Sequence, residues 1–331
     1  MEKKRVHYVD IAKGLLIILV VLHHIPQLEM NKSTAMQNVD NLSVLYISFF
    51  MPAFFVLTGM CSNFSKPFKI FIKKKFYSIM IPAFCLGFIS MWINLIFSGV
   101  TDIREYCKLG FRTFILYGGT YWFLSALFIA NNIYWLIKNK ITNMVYKYLL
   151  LVFCLIVGVV FQYCHIHDYW HVSQALVLVI FLNIGELFRK YGLNLKKGTI
   201  AFLSYIGLLT LLLALNMNVP YITAHVNLSI FELPVFLLLS ILGSVSIIVF
   251  SKVIEKKSVL EGLGKQSLVI YGLHISILSV IMKIYGTYCS FLDIIPEYLA
   301  IGFILLLALT ICYGIALCIN KSPLKVLIGK F

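Results

Sequence analysis

The chain has few charged residues, and acidic residues are fewer than basic ones. Of its 331 residues only 12% are charged, with 13 Asp and Glu against 28 Lys and Arg. A soluble domain carries about 25% charged residues. Hydrophobic residues make up 61% of the sequence and the mean hydropathy is +0.93. So apolar a chain needs lipid to cover its surface, which excludes a soluble globular protein.

Several motifs of soluble and secreted proteins are also missing. The sequence has no GxSxG elbow, no P-loop and no GxGxxG between a strand and a helix. Its eight cysteines form neither a CxxC pair nor a disulfide framework. The net charge of +15 is divided among short clusters between apolar runs, which is not the single basic patch of a nucleic-acid-binding protein. We therefore expect no nucleic-acid partner.

The apolar residues come in runs of membrane-spanning length. The first run follows MEKKR without a small-residue cleavage site, so we expect a retained helix rather than a signal peptide. These runs predict an all-α polytopic membrane protein with a single integral-membrane domain over residues 1–331. Its ten or so transmembrane helices are expected at 9–28, 43–62, 78–98, 120–137, 148–164, 172–188, 199–217, 228–251, 267–285 and 297–318.

Lys and Arg alternate between the two sides of this predicted bundle. The side of the N-terminus holds 22 of the 28 basic residues, which predicts cytoplasmic N- and C-termini. The long loop 99–119 on the other side has the charge spacing of an interfacial helix. Frequent Lys, Ile, Asn and Phe favour a bacterial source and hence the bacterial plasma (inner) membrane as the location.

The first predicted span carries a polar stripe. At 100° per residue Asp10, Lys13 and His24 lie on nearly one helical face, whereas His23 points about 100° away. Ionisable groups are costly in a membrane and usually line a functional cavity. The alternative is that Asp10 and Lys13 reach the cytoplasmic interface and the histidines the outer one.

A late span carries a second stripe, in which Ser267, Tyr271 and His274 share one face. Hydrogen bonding between packed helices explains this stripe as well as function does.

Two carboxylates lie within or near predicted spans. Glu186 precedes Arg189 by three residues, which predicts an interfacial ion pair. Glu232 precedes Pro234 and is interpreted as having no local partner, so it is a candidate site residue.

Three histidines lie close together in CHIHDYWH. His167 and His171 have the i,i+4 spacing of zinc ligands on a helix, with His165 nearby, but no carboxylate or cysteine completes the set. We expect no metal.

Five segments together resemble a known family. DIAKGLLIILVVLHH resembles the N-terminal signature of the acyltransferase family 3 membrane proteins, which include sugar O-acetyltransferases. The other four segments follow in the family's order and cover nearly the whole chain: SFFMPAFFVLTGM with Pro52 and Gly59, KKKFYSIMIPAF with Lys75 and Pro82, GGTYWFLSALF with Trp122, and LEGLGKQSLVIYGLH with Gly264, Ser267, Tyr271 and His274.

The resemblance implies transfer of acetyl from cytoplasmic acetyl-CoA, the acyl donor, to a hydroxyl of a cell-surface or lipid-linked glycan in a capsule, O-antigen or exopolysaccharide. It places the family's essential histidine at His24, as general base or as nucleophile. The remaining candidates rest on chemistry and, for Lys75 and Trp122, on the resemblance. They are Asp10 and Glu232 for catalysis, Lys13, Lys73, Lys74 and Lys75 for CoA, and Trp122, Ser267, Tyr271 and His274 for substrate or oxyanion binding.

One departure from the family pattern refines the prediction. Many members have Arg at the positions of Lys13 and Lys75, and Lys lacks the bidentate fork of Arg. The Lys version resembles the fucose 4-O-acetylase-like, polysaccharide-modifying branch. The alternative function is transport of a small solute or of an acyl or glycan precursor, because a carrier uses the same buried His, Asp and Glu. The oligomeric state is not predicted.

Overall fold

The computed structural model describes residues 6–28, 33–97, 102–164, 168–223, 228–254, 258–288 and 296–329. In these ranges every regular element is helical. The α-helices are α1 (His7–His24), α2 (Thr34–Leu42), α3 (Phe50–Cys61), α4 (Phe68–Lys75), α5 (Ile81–Phe97), α6 (Ile103–Tyr117), α7 (Trp122–Lys140), α8 (Met144–Tyr163), α9 (Val172–Tyr191), α10 (Leu195–Ala214), α11 (Leu233–Phe250), α12 (Val259–Lys265), α13 (Ser267–Tyr288) and α14 (Glu297–Lys321).

Membrane-spanning length and apolar composition recur along this helical chain. Within the described ranges nine helices are long and apolar enough to cross a bilayer, or ten if Thr34–Leu45 and Phe50–Cys61 form one broken span. The predicted all-α polytopic fold is thus confirmed, and the chain is a multi-pass membrane protein. The predicted helix in loop 99–119 is also present, as α6.

The predicted span 43–62 is interrupted. A 3₁₀ turn occupies Ser43–Leu45 and α3 begins only at Phe50. The backbone carbonyl of Ser48 in the intervening turn accepts a hydrogen bond from the Ser240 hydroxyl, at 2.7 Å. Pro52, four residues later, has no N–H to pair with this carbonyl, so a distant side chain satisfies it instead.

The predicted span 78–98 begins earlier than expected, since helix continues from Phe68 to Phe97. A π-helical segment, Phe76–Met80, lies just before Pro82. Proline has no N–H for the carbonyl four residues earlier, and a local change of helical pitch accommodates that loss.

The described residues divide into two compact units. Unit 1 comprises those within Met1–Leu45, Ile81–Arg112 and Lys257–Phe331, and unit 2 those within Tyr46–Met80 and Thr113–Lys256. In unit 1, α1 packs against α12 and α13, while α13 also contacts α5 and α14. In unit 2, α9 packs against α3, α7 and α8, and α10 packs against α11.

Candidate functional site

Two imidazole rings lie side by side in unit 1. His24 is the last residue of α1, and His274 lies in the first half of α13. The ring centroids are 4.9 Å apart and the ring planes cross at 80°. Packing of α1 against α13 thus joins two histidines that are 250 residues apart in the sequence.

Backbone carbonyls fix the tautomer of both neutral rings. Nδ1 of His24 lies 2.8 Å from the carbonyl oxygen of Val20, and Nδ1 of His274 lies 2.7 Å from that of Tyr271. A carbonyl only accepts hydrogen bonds, so each Nδ1 carries the proton. Each Nε2 is therefore left with a lone pair, the form in which imidazole acts as a base or a nucleophile.

The two rings differ in burial. His274 is only 1% exposed, and its Nε2 has no hydrogen-bond partner among the described residues. His24 is half-buried. A partly accessible imidazole can meet a substrate, whereas an unpaired buried acceptor destabilises the fold and calls for an explanation.

His23 has a different environment from its neighbour. Its side chain is buried, and its Nε2 accepts a hydrogen bond of 2.8 Å from the Gln27 amide. The lone pair of that nitrogen is thus engaged within the protein, unlike the Nε2 of His24.

Glycines bring α12 into close contact with α1. A Cβ atom on Gly14 would lie 2.0 Å from the carbonyl oxygen of Leu260, and one on Gly264 would lie 1.6 Å from that of Asp10. Real Cβ atoms do not approach an oxygen so closely, so only glycine fits at either position. Since α13 begins two residues after α12 ends, this packing sets where α13 starts relative to α1.

A buried carboxylate joins the same two helices. Glu261 is 1% exposed and accepts a hydrogen bond of 2.9 Å from Nδ1 of His7, while Lys265 Nζ lies 2.5 Å from it. We call Gly14, Gly264, Glu261, His7 and Lys265 the unit 1 clamp. Its charged atoms are paired with one another, which indicates a structural role.

Asp10 and Lys13 lie far along α1 from the imidazoles. Asp10 is buried, and Lys13 Nζ is 4.0 Å from its carboxylate. At 1.5 Å per residue, the 14 residues from Asp10 to His24 span about 21 Å. The stripe predicted from sequence therefore runs the length of the helix, and Asp10 is not brought to His24.

The other two residues of the stripe on α13 lie at different distances from His274. Tyr271 is buried, and its ring centroid is 5.7 Å from that of His274. Ser267 is the first residue of α13, about 10 Å from His274 along the helix. Tyr271 is thus the neighbour of the imidazole pair, and Ser267 lies towards the unit 1 clamp.

Comparison with known proteins decides the family. The family model described as an acyltransferase domain, acyltransferase family 3, matches residues 6–319, nearly the whole chain. The chain belongs to acyltransferase family 3. No curated protein and no solved structure matches it. The imidazole pair in unit 1 accordingly belongs to a membrane-bound acyltransferase.

The other predicted CoA-binding lysines of this acyltransferase lie on α4, in unit 2. Lys73 and Lys74 are exposed. Lys75 is half-buried and donates a hydrogen bond of 2.7 Å to the Ser62 hydroxyl. Exposed ammonium groups are accessible to phosphate, whereas Lys75 already has a partner.

Glu232 precedes the first residue of α11, and the interpretation that it lacks a local partner was wrong. Its carboxylate accepts a hydrogen bond of 2.9 Å from the Ser229 N–H, and its own N–H donates to the Ser229 hydroxyl at 3.2 Å. This is the reciprocal pattern of a capping box, whose Ser-x-x-Glu spacing is readable in the sequence.

Trp122 lies at the start of α7 in unit 2. Its ring centroid is 6.5 Å from that of His171, which has left-handed backbone angles, as Trp170 does. The other two histidines of the zinc-like pattern, His165 and His167, lie outside the described residues.

The sequence analysis missed the larger polar cluster of unit 2. The predicted pair of Glu186 and Arg189 is confirmed at 3.1 Å, but the carboxylate also contacts Lys138 and accepts a hydrogen bond of 2.8 Å from the Tyr134 hydroxyl. These partners come from α7. Periodicity within one helix carries no signal for such tertiary contacts.

Proposed function

We propose that this acyltransferase moves acetyl from cytoplasmic acetyl-CoA to a hydroxyl of a cell-surface or lipid-linked sugar in the bacterial plasma membrane. The observation that carries the proposal is the His24 side chain, half-buried, with Nδ1 bound to a carbonyl and Nε2 left as a lone pair. The family supplies the reaction class. Assignment to the fucose 4-O-acetylase-like branch rests on Lys13 and Lys75.

His24 has two chemical routes open to it. As a general base, its Nε2 takes the proton of the sugar hydroxyl while the hydroxyl oxygen bonds to the acetyl carbon and the C–S bond to CoA breaks. As a nucleophile, its Nε2 first bonds to the acetyl carbon and releases CoA, and the sugar then attacks the acyl-imidazole. The fixed tautomer suits both routes.

The acetyl donor would approach along α1. We take the basic side as cytoplasmic and both termini as lying there, by the positive-inside rule. The 11 residues from Lys13 to His24 then span about 17 Å of membrane depth. Lys13 would meet CoA near the cytoplasmic end, and the extended pantetheine arm would carry the thioester towards His24.

The other sequence-derived assignments stay predictions within this proposal. They are catalysis for Asp10 and Glu232, CoA phosphate binding for Lys73, Lys74 and Lys75, and substrate or oxyanion binding for Trp122, Ser267, Tyr271 and His274.

The decisive experiment is acetyl-CoA turnover by the full chain in nanodiscs with candidate glycans, comparing His24→Ala with His23→Ala. Removing the base or nucleophile should lower turnover by about 10²-fold or more, whereas His23→Ala should stay active because its ring nitrogen is bonded to Gln27. Equal loss in both variants would refute the role of His24. No thioester consumption by the wild type with any acceptor, alongside solute flux into proteoliposomes, would favour the transporter.

A further inference from the structure

Aromatic rings gather at one end of unit 2, where the end of α6, the start of α7 and the turn before α9 meet. The ring centroid of Tyr117 lies 6.2 Å from that of His171 and 6.3 Å from that of Tyr169. The Trp122 ring lies 6.5 Å from His171 on the same basis. Tyr169 is 49% exposed and the other three side chains are half-buried. We call Tyr117, Trp122, Tyr169 and His171 the aromatic platform, and its rings are accessible from outside the protein.

Strained backbone builds the platform. Trp170 and His171 have left-handed backbone angles, with φ of 58° and 55°, although neither is glycine. Gly118 and Gly119, in the turn between α6 and α7, have φ of 70° and 113°. These are four of the seven described residues with positive φ. Left-handed angles are unfavourable for a residue with a side chain, and strain of this kind concentrates at functional sites.

Several contacts hold the strained turn in place. Trp170 Nε1 donates a hydrogen bond of 2.9 Å to the Ile115 carbonyl, and its ring packs so closely on Gly118 that a Cβ there would lie 2.8 Å away. The Asp168 carboxylate accepts from the Ser173 N–H at 3.0 Å and from the Ser173 hydroxyl at 2.5 Å. The turn is thus tied to both α6 and α9, so its rings are preorganised for a ligand.

An interfacial aromatic belt is the other explanation for exposed rings in a membrane protein. A belt needs only aromatic side chains at the right depth, on ordinary helices. Trp92 fits that description, since it is 46% exposed on α5 with its ring centroid 6.0 Å from that of Phe88. The aromatic platform differs from a belt because its rings come from three segments and depend on a strained turn.

A sugar ring has the chemistry to occupy such a platform. The C–H groups on one face of a pyranose pack against aromatic faces, which carry the negative end of the ring quadrupole. Its hydroxyls need polar partners at the edge of the rings. Each Asp168 oxygen accepts one bond from Ser173 and can accept a second, so the carboxylate has room for sugar hydroxyls. Aromatic walls with a few polar groups are typical of small-molecule sites.

The distribution of basic residues gives the side of the membrane on which the platform lies. α7 begins at Trp122 and ends at Lys140, while α9 begins after His171 and has Arg189 and Lys190 in its last turn. With the basic ends taken as cytoplasmic by the positive-inside rule, the platform faces outwards. A cell-surface or lipid-linked sugar would be found on that side.

We infer that the aromatic platform binds a pyranose unit of the acceptor glycan, with Asp168 accepting hydrogen bonds from its hydroxyls. This inference rests on the proposed function and names the residues that hold the acceptor. Of these residues only Trp122 was assigned to substrate binding from sequence. A group that binds ground state and transition state alike changes KM without changing kcat. Loss of a platform ring should therefore raise KM for the acceptor and leave KM for acetyl-CoA unchanged.

The first test measures sugar binding in the absence of acetyl-CoA. Saturation-transfer NMR on the full chain in nanodiscs uses the methyl glycosides of fucose, galactose, glucose and N-acetylglucosamine as probes, with empty nanodiscs as the blank. The wild type should saturate ring protons of at least one probe. Trp122→Leu should weaken that binding about tenfold, and Trp122→Phe, which keeps an aromatic face, should lose clearly less. Trp92→Leu is the matched control and should bind as the wild type does.

Three binding results overturn the inference: no saturation of any probe above the blank, wild-type affinity in Trp122→Leu, or an equal loss in Trp92→Leu. Thermal unfolding shows whether each variant is folded. If Trp122→Leu is not, Tyr169→Leu removes a half-exposed ring instead and should show the same loss.

The probe that binds is then assayed with acetyl-CoA. A raised KM for the sugar in the platform variant, with KM for acetyl-CoA unchanged, supports the inference, and an unchanged KM for the sugar overturns it. A wild type that binds the sugar but consumes no acetyl-CoA with it overturns the proposed function instead, so the two failures are distinguishable.

Discussion

The two units contain helix pairs of the same construction. In unit 1, Gly14 and Gly264 lie against carbonyl oxygens of the opposite helix, α12 or α1. In unit 2, Gly59 lies against Leu182 of α9 and Gly185 against Val56 of α3, with hypothetical Cβ–oxygen distances of 2.2 and 2.0 Å. Close backbone approach through small residues is a common way to pack helices in lipid.

A carboxylate bound to two basic side chains accompanies each glycine pair. Glu261 binds His7 and Lys265 in unit 1, and Glu186 binds Lys138 and Arg189 in unit 2. We call Gly59, Gly185, Glu186, Lys138 and Arg189 the unit 2 clamp. A buried or half-buried ionisable group is therefore not by itself evidence of a catalytic site, because in both clamps the charge is satisfied within the protein.

The two units differ in the side chains that their clamped helices carry. In unit 1, α1 ends at His24 and α12 leads directly into α13 with His274. Among the described residues, the Nε2 of His274 has no hydrogen-bond partner, which distinguishes this place from a satisfied clamp. Both clamps should thus support folding, whereas only the unit 1 clamp should also govern acyl transfer.

The largest expected effect comes from adding one methyl group to each clamp. Gly264→Ala and Gly185→Ala each force a Cβ into a carbonyl oxygen, at 1.6 and 2.0 Å, so the helices must separate. We expect each variant to lose about 3 kcal/mol of stability, measured by thermal unfolding in detergent. Turnover per folded molecule should fall more in Gly264→Ala, because α13 moves with α12.

Gly207→Ala is the matched control for these variants, since a Cβ there meets no atom within 4 Å. Equal turnover per folded molecule in Gly264→Ala and Gly185→Ala would contradict the difference between the clamps.

The second-largest expected effect comes from removing the carboxylate of each clamp. Glu261→Leu leaves His7 and Lys265 without their partner, but both are partly exposed and can turn to solvent or headgroups. We expect a loss of about 2 kcal/mol, below that of a fully buried pair. Glu186→Leu should cost at least as much, because Lys138 is only 24% exposed and the buried Tyr134 hydroxyl loses one of its acceptors, although Arg189 keeps its 2.6 Å hydrogen bond to the Ser62 carbonyl. A higher unfolding temperature for Glu186→Leu than for Glu261→Leu would show that exposure of the partners does not decide the cost.

A smaller effect is expected at Tyr134. Its hydroxyl is close to two acceptors, Asn183 Oδ1 at 3.0 Å and Glu186 Oε2 at 2.8 Å. Tyr134→Phe removes that hydroxyl without changing the ring, so stability should fall by about 1 kcal/mol. Acetyl-CoA turnover per folded molecule should not change. A selective fall in turnover would give the unit 2 clamp a catalytic function that we do not assign to it.

The spans were predictable because hydropathy depends on composition alone. α9 and α14 begin at Val172 and Glu297, where the apolar runs predicted them. The turn before Phe50 has a local signal in Pro52, which the predicted span ran through, whereas the Ser240 hydroxyl that satisfies the Ser48 carbonyl is remote in sequence.

The sequence singled out candidate residues of the site but not their contacts. His24 and His274 each stood out on a helical face, but their contact depends on α1 packing against α13, which no local pattern encodes. Glu261 was missed because its spacing from Lys265 is that of an ordinary surface pair, and its burial comes from α1.

The smallest expected effect comes from comparing an exposed carboxylate–lysine pair with one whose carboxylate is buried. Lys108 lies 3.3 Å from Glu105 at i,i+3, with both side chains mostly exposed, and Lys265 lies 2.5 Å from Glu261 at i,i+4, with the carboxylate 1% exposed. From sequence the two pairs look alike. Lys108→Met should leave the unfolding temperature unchanged because water screens an exposed pair. Lys265→Met should lower it measurably, since buried Glu261 then loses its lysine partner. Equal behaviour of the two variants would mean that the burial of Glu261 adds nothing to its ion pairs, and the unit 1 clamp would then depend on its glycines alone.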